Sequence, residues 1–271
     1  MVSNDHSAPF DATAEDYDSR FTDTDIGRVL RGAVWRVFGN TFEPGGRILE
    51  LGCGTGEDAV WLARNGHQVL ATDASSVMLD QAREKTVAAD VADRVDFDRI
   101  DLATVSDRPA PPQAPFDGVA SNFGALNCLP DCSGLAATLH GWLSPGARVV
   151  VVVMGPVCLW EWVWYALHLR PRTALRRLRR GRPTPVGPDA SIRVWYPSPG
   201  RLRNQLRPWF ELRESLAIGA LVPPPYAGAV TRNRPGLLRR LARFDDRHGH
   251  RLSWMSDHYL LVLDRIDDAA L

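Results

Sequence analysis

The sequence predicts an α/β fold: an open, doubly wound sheet in which parallel strands alternate with helices. Three observations carry this. Short apolar runs at Arg47–Leu51, Gln68–Thr72, Val95–Ile100, Phe116–Ser121 and Val149–Met154 alternate with segments of helical spacing over about 110 residues. The first run passes straight into Gly52-Cys53-Gly54-Thr55-Gly56, a loop with glycine at alternate positions, and a helix opens behind it. The runs end on acids, polar residues or glycine, at the sheet end where ligands sit in folds of this kind.

Composition bounds the rest. The 271 residues suffice for one large domain, or one domain with an embellishment, and 45% hydrophobic with 24% charged residues is ordinary for a globular chain. The formal net charge is zero, so no global field attracts nucleic acid or anionic lipid. Nearly every basic residue is arginine; Lys85 is the only lysine. The four cysteines, Cys53, Cys128, Cys132 and Cys158, lack metal-ligand spacing and read as reduced thiols in a cytoplasmic protein with no metal site. Residues 1–10 are polar, expected to be mobile, and carry no apolar leader. No apolar run reaches the roughly 18–20 residues that span a bilayer.

In chain order, Ala14, Tyr17 and Phe21 have helical spacing, and a second helix is expected from Asp25 to about Thr41 with Ile26, Val29, Leu30, Val34, Val37 and Phe38 turned inward. Pro44-Gly45-Gly46 delivers the chain into the first strand. Helix Glu57–Asn65 stops at Gly66. The second strand ends at Asp73, about 20 residues beyond the first glycine, where a carboxylate in such a unit reaches ribose hydroxyls. Ser75 or Ser76 caps a helix through Met78, Leu79, Ala82 and Val87. The third strand ends at Asp101-Leu102, the proline-rich stretch 108–115 is a surface loop, and the fourth strand ends at Asn122-Phe123-Gly124. Helix Ser133–Trp142 and the turn Ser144-Pro145-Gly146 lead to the β-branched fifth strand, Val149–Met154.

These residues resemble the class I S-adenosylmethionine-dependent methyltransferases, in particular the small-molecule branch that includes the ubiquinone and menaquinone enzymes. The resemblance rests on Leu49-Glu50-Leu51-Gly52-Cys53-Gly54-Thr55-Gly56, Ala71-Thr72-Asp73-Ala74-Ser75 with Met78-Leu79, Asp101-Leu102, Phe116-Asp117-Gly118-Val119 and Leu143-Ser144-Pro145-Gly146. It implies a Rossmann-like, seven-stranded sheet with strand seven antiparallel, and S-adenosyl-L-methionine as cofactor with S-adenosyl-L-homocysteine as product. It also implies roles. Gly52, Cys53, Gly54 and Gly56 would run beneath the methionine part, Asp73 beside Ala74 would hold the ribose diol, and Asp101 would accept from the adenine amino group. Leu102 and Met78 would lie on the ring faces, Glu50 would bond the cofactor's amino group or loop N–H groups, and Tyr17 would close over the cofactor. Asn122 and Phe123 complete the expected contacts. A dinucleotide oxidoreductase is the rival reading, but the position of its third glycine is Glu57, which would face a pyrophosphate.

In-line methyl transfer needs alignment first, and a base only where the acceptor must lose a proton. Ser121-Asn122-Phe123-Gly124 is not the Asn-Pro-Pro-aromatic tetrad of exocyclic-amine methyltransferases, which argues against DNA bases and protein glutamine. Asn127 reaches toward the methyl group or stabilises its turn. Residues 156–209 are expected to form an inserted acceptor-side lid on the core 11–155, with 210–271 supplying strands six and seven. In the lid, Trp160, Trp162, Trp164 and Tyr165 make an apolar segment, and Glu161, Tyr165 and His168 share a helical stripe. Glu161 or His168 is either a base or a partner of the neighbouring arginines, with the arginine pairing favoured. Seven arginines between Arg170 and Arg182 form a solvated face or a contact for phosphate, RNA or an anionic membrane. Tyr226, after Pro223-Pro224-Pro225, and His258, opening the last strand, are further acceptor-side candidates; for His258 a structural role is favoured. The expected reaction is O-, N- or C-methylation of a small, largely apolar acceptor. RNA methylation through the arginine run, and cofactor binding without catalysis, are the alternatives.

Overall fold

The computed structural model describes residues 10–11, 14–179, 181–186 and 190–267. The expectation for residues 1–10 therefore falls, apart from Phe10, outside the described residues. Five strands, β1 (Arg47–Leu51), β2 (Gln68–Asp73), β3 (Val95–Arg99), β4 (Phe116–Ser121) and β5 (Leu143–Met154), pair in parallel in the order β3-β2-β1-β4-β5. The strand order reverses between β1 and β4, which opens a crevice at their C-terminal ends, the switch point at which such sheets bind ligands. Beyond β5 lie the last strand and its predecessor. A two-strand hairpin, β6 (Arg182–Pro185) with β7 (Ser191–Val194), stands apart from the main sheet, so the later main-sheet strands are β8 (Phe210–Ile218) and β9 (His258–Arg265). β9 runs antiparallel to both neighbours and completes a seven-stranded sheet.

Alternation along the strands fills two core layers. Ile48, Val69, Ala71, Val150, Val152, Leu260 and Val262 face one side. There they meet α2 (Asp25–Thr41), α3 (Glu57–Arg64), α4 (Ser76–Ala88) and α9 (Pro235–Leu252). Leu49, Leu51, Leu70, Val149, Val151, Leu261 and Leu263 face the other, under α5 (Ser133–Trp142) and α8 (Pro199–Leu206). Strand β5 begins at Leu143, earlier than its β-branched run suggests, because Leu143 pairs with Phe116 and the register slips before Gly118 meets Arg148. The turn residues Pro145 and Gly146 are absorbed into that irregularity.

Two short helical turns precede α2: α1 (Ala14–Tyr17) and a π-helical turn Asp18–Thr22. Between β5 and β8 the chain makes α6 (Leu159–Leu167), α7 (Pro171–Ala174), a tight turn at Arg176–Leu178, the hairpin and α8. Leu202 and Leu206 of α8 are buried in the second core layer, so this last helix of the segment packs with the sheet rather than over the crevice. Among the described residues no helix is long and apolar enough to cross a membrane.

Candidate functional site

The crevice holds a cavity of about 500 Å³, walled below by the β1, β2 and β4 loops and above by Tyr17 and the hairpin. Its floor is set by glycine. A Cβ on Gly52 would lie 2.4 Å from the Ala125 Cβ, so the loop can approach the chain after β4 only without a side chain. A Cβ on Gly54 would meet nothing within 4 Å and would project into open space at the cavity wall. Asp73 ends β2 with both oxygens tied down: Oδ2 accepts from Gly54 N at 3.0 Å and Oδ1 from Ser75 N at 2.9 Å. Burial outweighs these N–H donors and pushes its carboxyl above the ordinary value. Each oxygen can accept a second hydrogen bond, and Asp73 lines the cavity. At the end of the next strand Asp101 Oδ1 accepts from Ala103 N at 2.9 Å, and Met78, Ile100, Leu102 and Leu129 make an apolar slot beside it.

Two polar clusters hold this cradle, and neither is visible as local spacing. Arg31 of α2 is buried and donates to Asp58 Oδ2 at 2.6 Å, Trp35 donates to Asp58 Oδ1 at 2.6 Å, and Asn122 Nδ2 reaches the same carboxylate at 3.0 Å. Asn122 Oδ1 in turn accepts from Phe123 N at 2.9 Å. This holds Phe123, on the cavity wall, in a left-handed conformation (φ 44°) that non-glycine residues rarely adopt. The Arg31 guanidinium lies 5.1 Å from the Phe123 ring centroid, and Phe21 and His258 meet the same ring at 4.8 and 5.4 Å. The second cluster latches the N-terminal turns over the glycine loop. Lys85 Nζ donates to Asp18 at 2.6 Å, to Glu57 at 3.1 Å and to Thr55 at 3.2 Å, while Thr55 Oγ1 donates to Asp18 at 2.7 Å. Uniqueness of Lys85 in an arginine-rich chain was the only sequence signal for it.

Of the residues expected around the cofactor, Tyr17, Gly52, Gly54, Asp73, Ala74, Met78, Asp101, Leu102, Asn122 and Phe123 line the cavity. Cys53 and Gly56 do not. The Cys53 side chain turns into the core, and burial raises its thiol well above the ordinary value. Gly56, at φ 80°, lies against α4, where a Cβ would sit 2.7 Å from the Ala82 Cβ; it is a helix-packing glycine. Glu50 lies outside the cavity wall, and burial with the nearby Asp58 charge pushes its carboxyl well above the usual range.

The acceptor-side candidates separate clearly. Asn127 lines the cavity but is saturated: Nδ2 donates to Met154 O at 3.0 Å and Trp195 O at 2.6 Å, and Oδ1 accepts from Met154 N at 2.9 Å. It pins the hairpin's exit to the end of β5. Glu161 is fully buried and bound by two guanidiniums, Arg176 (2.6 Å) and Arg177 (2.8 Å). Both of its oxygens are engaged by these arginines and it is absent from the cavity wall, so it is the partner of the neighbouring arginines and does not face the acceptor space. His168 is exposed at the end of α6 and bonds Trp164 O at 2.7 Å, away from the cavity. Tyr226 is absent from the cavity wall and stacks on Tyr165 at 5.6 Å. His258 Nδ1 lies 3.1 Å from Asp257 and its ring backs Phe123; it supports the wall without reaching it. The arginine run is not one solvated face, because Arg177 is buried between Glu161 and Asp257, 2.5 Å from the latter. Arg180 and the Arg182 side chain lie outside the described residues. Sequence reasoning missed Arg176 and Tyr196 as members of the cavity wall.

A family model described as a methyltransferase domain matches residues 48–146. A demethylmenaquinone methyltransferase of Clavibacter sepedonicus is 34% identical over 148 residues, 54% of this chain and 56% of that protein. Another protein so named, from Mycobacterium sp. (strain KMS), is 30% identical over 232 residues, 80% of this chain and 93% of that protein. The chain belongs to the class I S-adenosylmethionine-dependent methyltransferases. The CcbJ methyltransferase from Streptomyces caelestis shares the fold at a TM-score of 0.63, with 18% identity over 97% of this chain and 100% of that one. The match spans little more than half the length of several of the curated relatives.

The residues present fit the family's cofactor. Asp73 offers two oriented acceptors, as a ribose diol requires, and Asp101 keeps an oxygen for an adenine amino group beside an apolar slot. Glu50 Oε2 and Arg31 Nε are buried without hydrogen-bond partners among the described residues, but both residues sit behind the cavity wall rather than on it. The space above Gly54 is open where the methionine chain would pass.

Proposed function

We propose that this chain methylates a small, largely apolar acceptor that carries an ionisable oxygen, bound between the cofactor cradle and the β6–β7 hairpin. The observation that carries this reading is the composition of the cavity's upper half. Phe123, Met154, Pro183, Pro185, Ile192 and Val194 form its apolar wall, and Arg176 and Tyr196 bring polar groups to it. S-adenosylmethionine, when bound, supplies a sulfonium methyl group that an aligned nucleophile displaces. The chain's own work is then alignment and exclusion of water, which the hairpin performs as a roof pinned by Asn127.

Arg176 engages Glu161 through Nε and Nη2, and its Nη1 makes no hydrogen bond to a described residue. The Tyr196 hydroxyl likewise bonds no described residue, and burial raises its pKa, so it is a neutral donor at physiological pH. Together they suit an enolate or phenolate oxygen: Arg176 favours the anion and Tyr196 donates to it, so the acceptor would lose its proton to water and be held as the anion without a dedicated base. The relatives named for demethylmenaquinone make a hydroquinone nucleus the first acceptor to try. Cys128 is no rival nucleophile, since burial pushes its thiol up to about 11.

The test is turnover of a short-chain demethylmenaquinol, followed as S-adenosylhomocysteine by mass spectrometry. Tyr196→Phe and Arg176→Met should lower kcat/KM for the acceptor by roughly ten- to a hundredfold, the scale of a lost bond to a charged oxygen, while cofactor affinity stays within twofold. Full turnover by both variants would sink the acceptor assignment. Transfer to RNA, abolished by replacing Arg172 and Arg179, would replace it.

A further inference from the structure

The segment that follows β5 carries an exposed surface unlike the rest of the chain, and it does not coincide with the tryptophans that made the segment look interfacial. Trp160, Trp162 and Trp164 are half-buried, and Trp160 Nε1 donates inward to Leu221 O at 3.1 Å. Outward point Val163, Leu167, Leu169, Leu175 and Leu178, exposed by 48, 76, 89, 48 and 53%. Val163 and Leu167 share one face of α6, four residues apart, and α6 packs against α7, so the later leucines follow within two short turns. Isolated exposed leucines need no explanation, whereas several on consecutive turns of one segment do.

Leu169 sharpens the point. It follows the α6 C-cap with φ 56°, and the flanking bonds, Leu169 N to Ala166 O and Arg170 N to Tyr165 O, are those of a helix stop that glycine usually fills. A leucine there incurs backbone strain that glycine would not, yet its side chain makes almost no use of the protein interior.

Charge completes the pattern. Arg170, Arg172 and Arg179 are exposed among these leucines, and no Asp or Glu occurs between Glu161 and Asp189. Glu161 itself is buried and neutralised by Arg176 and Arg177, so it adds no negative field. Apolar side chains interleaved with arginine and free of acid match a surface that is negative outside and hydrocarbon within. We infer that Val163–Arg179 seats this protein on an anionic lipid bilayer, with the leucines entering the headgroup boundary and Arg170, Arg172 and Arg179 on lipid phosphates. The same segment leads directly into the β6–β7 hairpin over the cavity, so a bilayer-borne acceptor would have a short path inward.

The experiment is vesicle co-sedimentation of the full chain with phosphatidylcholine alone and with added phosphatidylglycerol. Binding is expected only with the anionic lipid and should weaken with salt. The triple change Leu167→Gln, Leu169→Gln, Leu178→Gln should weaken it tenfold or more. Replacing Arg170, Arg172 and Arg179 by Gln should weaken it by about a hundredfold, from about fivefold per arginine. The unaltered protein gives an independent readout, since backbone amides of 163–179 should gain hydrogen-exchange protection on anionic vesicles. No binding to phosphatidylglycerol, binding that both variants retain, or absent protection would each overturn the inference. So would tight binding of single-stranded RNA that the arginine variant loses and the leucine variant keeps, without vesicle binding.

Discussion

Replacing Lys85 by Gln tests how the cofactor cradle is closed. In the native chain its ammonium bridges Asp18 in the N-terminal turn to Glu57 and Thr55 of the glycine loop and helix. The three charged side chains are 24%, 29% and 30% exposed, so solvent screens the ion pairs only in part. Bonds to charged groups are worth roughly 1.5–3 kcal/mol when shielded, and partial exposure reduces this to about 1–2 kcal/mol. The Asp18–Thr55 bond and the Phe21–Phe123 contact remain, so the turn should loosen rather than detach. Because apparent affinity scales with the closed fraction, S-adenosylhomocysteine should bind about two- to tenfold more weakly by calorimetry. Residues 14–22 should exchange amide protons faster while the sheet does not. The pH dependence follows from Asp18. Burial alone would raise its pKa, but the Lys85 and Thr55 bonds and the Lys85 charge outweigh burial and hold it below the ordinary value. Its stabilisation is therefore complete above the unfolded value near 3.9 and is lost as pH falls through the lower folded value. The latch should be constant from about pH 5 to 8. Unchanged affinity together with unchanged exchange would refute the reasoning.

Other perturbations separate structure from chemistry. Arg177→Met strands Glu161 and Asp257 as buried, less-paired carboxylates, and should cost about 3–5 kcal/mol of stability by denaturant titration; a loss under 1 kcal/mol would show the network to be dispensable. Asn127→Ala removes its two side-chain hydrogen bonds to Met154 at the end of β5 and its one to Trp195 at the hairpin exit. It should abolish acceptor turnover while S-adenosylhomocysteine still binds, and retained turnover would mean the hairpin is not the roof. Gly56→Ala places a Cβ against Ala82 at φ 80° and should destabilise the fold by about 2 kcal/mol or more, read as a lowered melting temperature.

The sheet and the floor of the cavity were legible because their determinants are local. Strand periodicity, alternate glycines and acids at strand ends are spaced by the backbone itself, so Asp73 and Asp101 could be placed without knowing any distant contact. What stayed hidden depends on partners far apart in sequence. Lys85 meets Asp18 across 67 residues, Asn122 meets Asp58 across 64, and Arg177 meets Asp257 across 80. A charged residue read alone defaults to the surface, and only the fold shows that Glu161, Arg177 and Asp257 are buried together. Gly56 illustrates the same limit at short range. Alternate glycines in the loop point to a ligand, whereas the contact that requires this one is with α4, 26 residues on at Ala82.

The cradle itself is tested most directly by calorimetric titration of S-adenosylmethionine into the native chain and into Asp73→Asn. The native protein should bind one equivalent, and the variant should bind tenfold or more weakly, because the amide presents one acceptor where the diol needs two; the scale is roughly 1.5–3 kcal/mol. Equal affinity in both proteins, or no uptake by the native chain at millimolar nucleoside, would contradict the account.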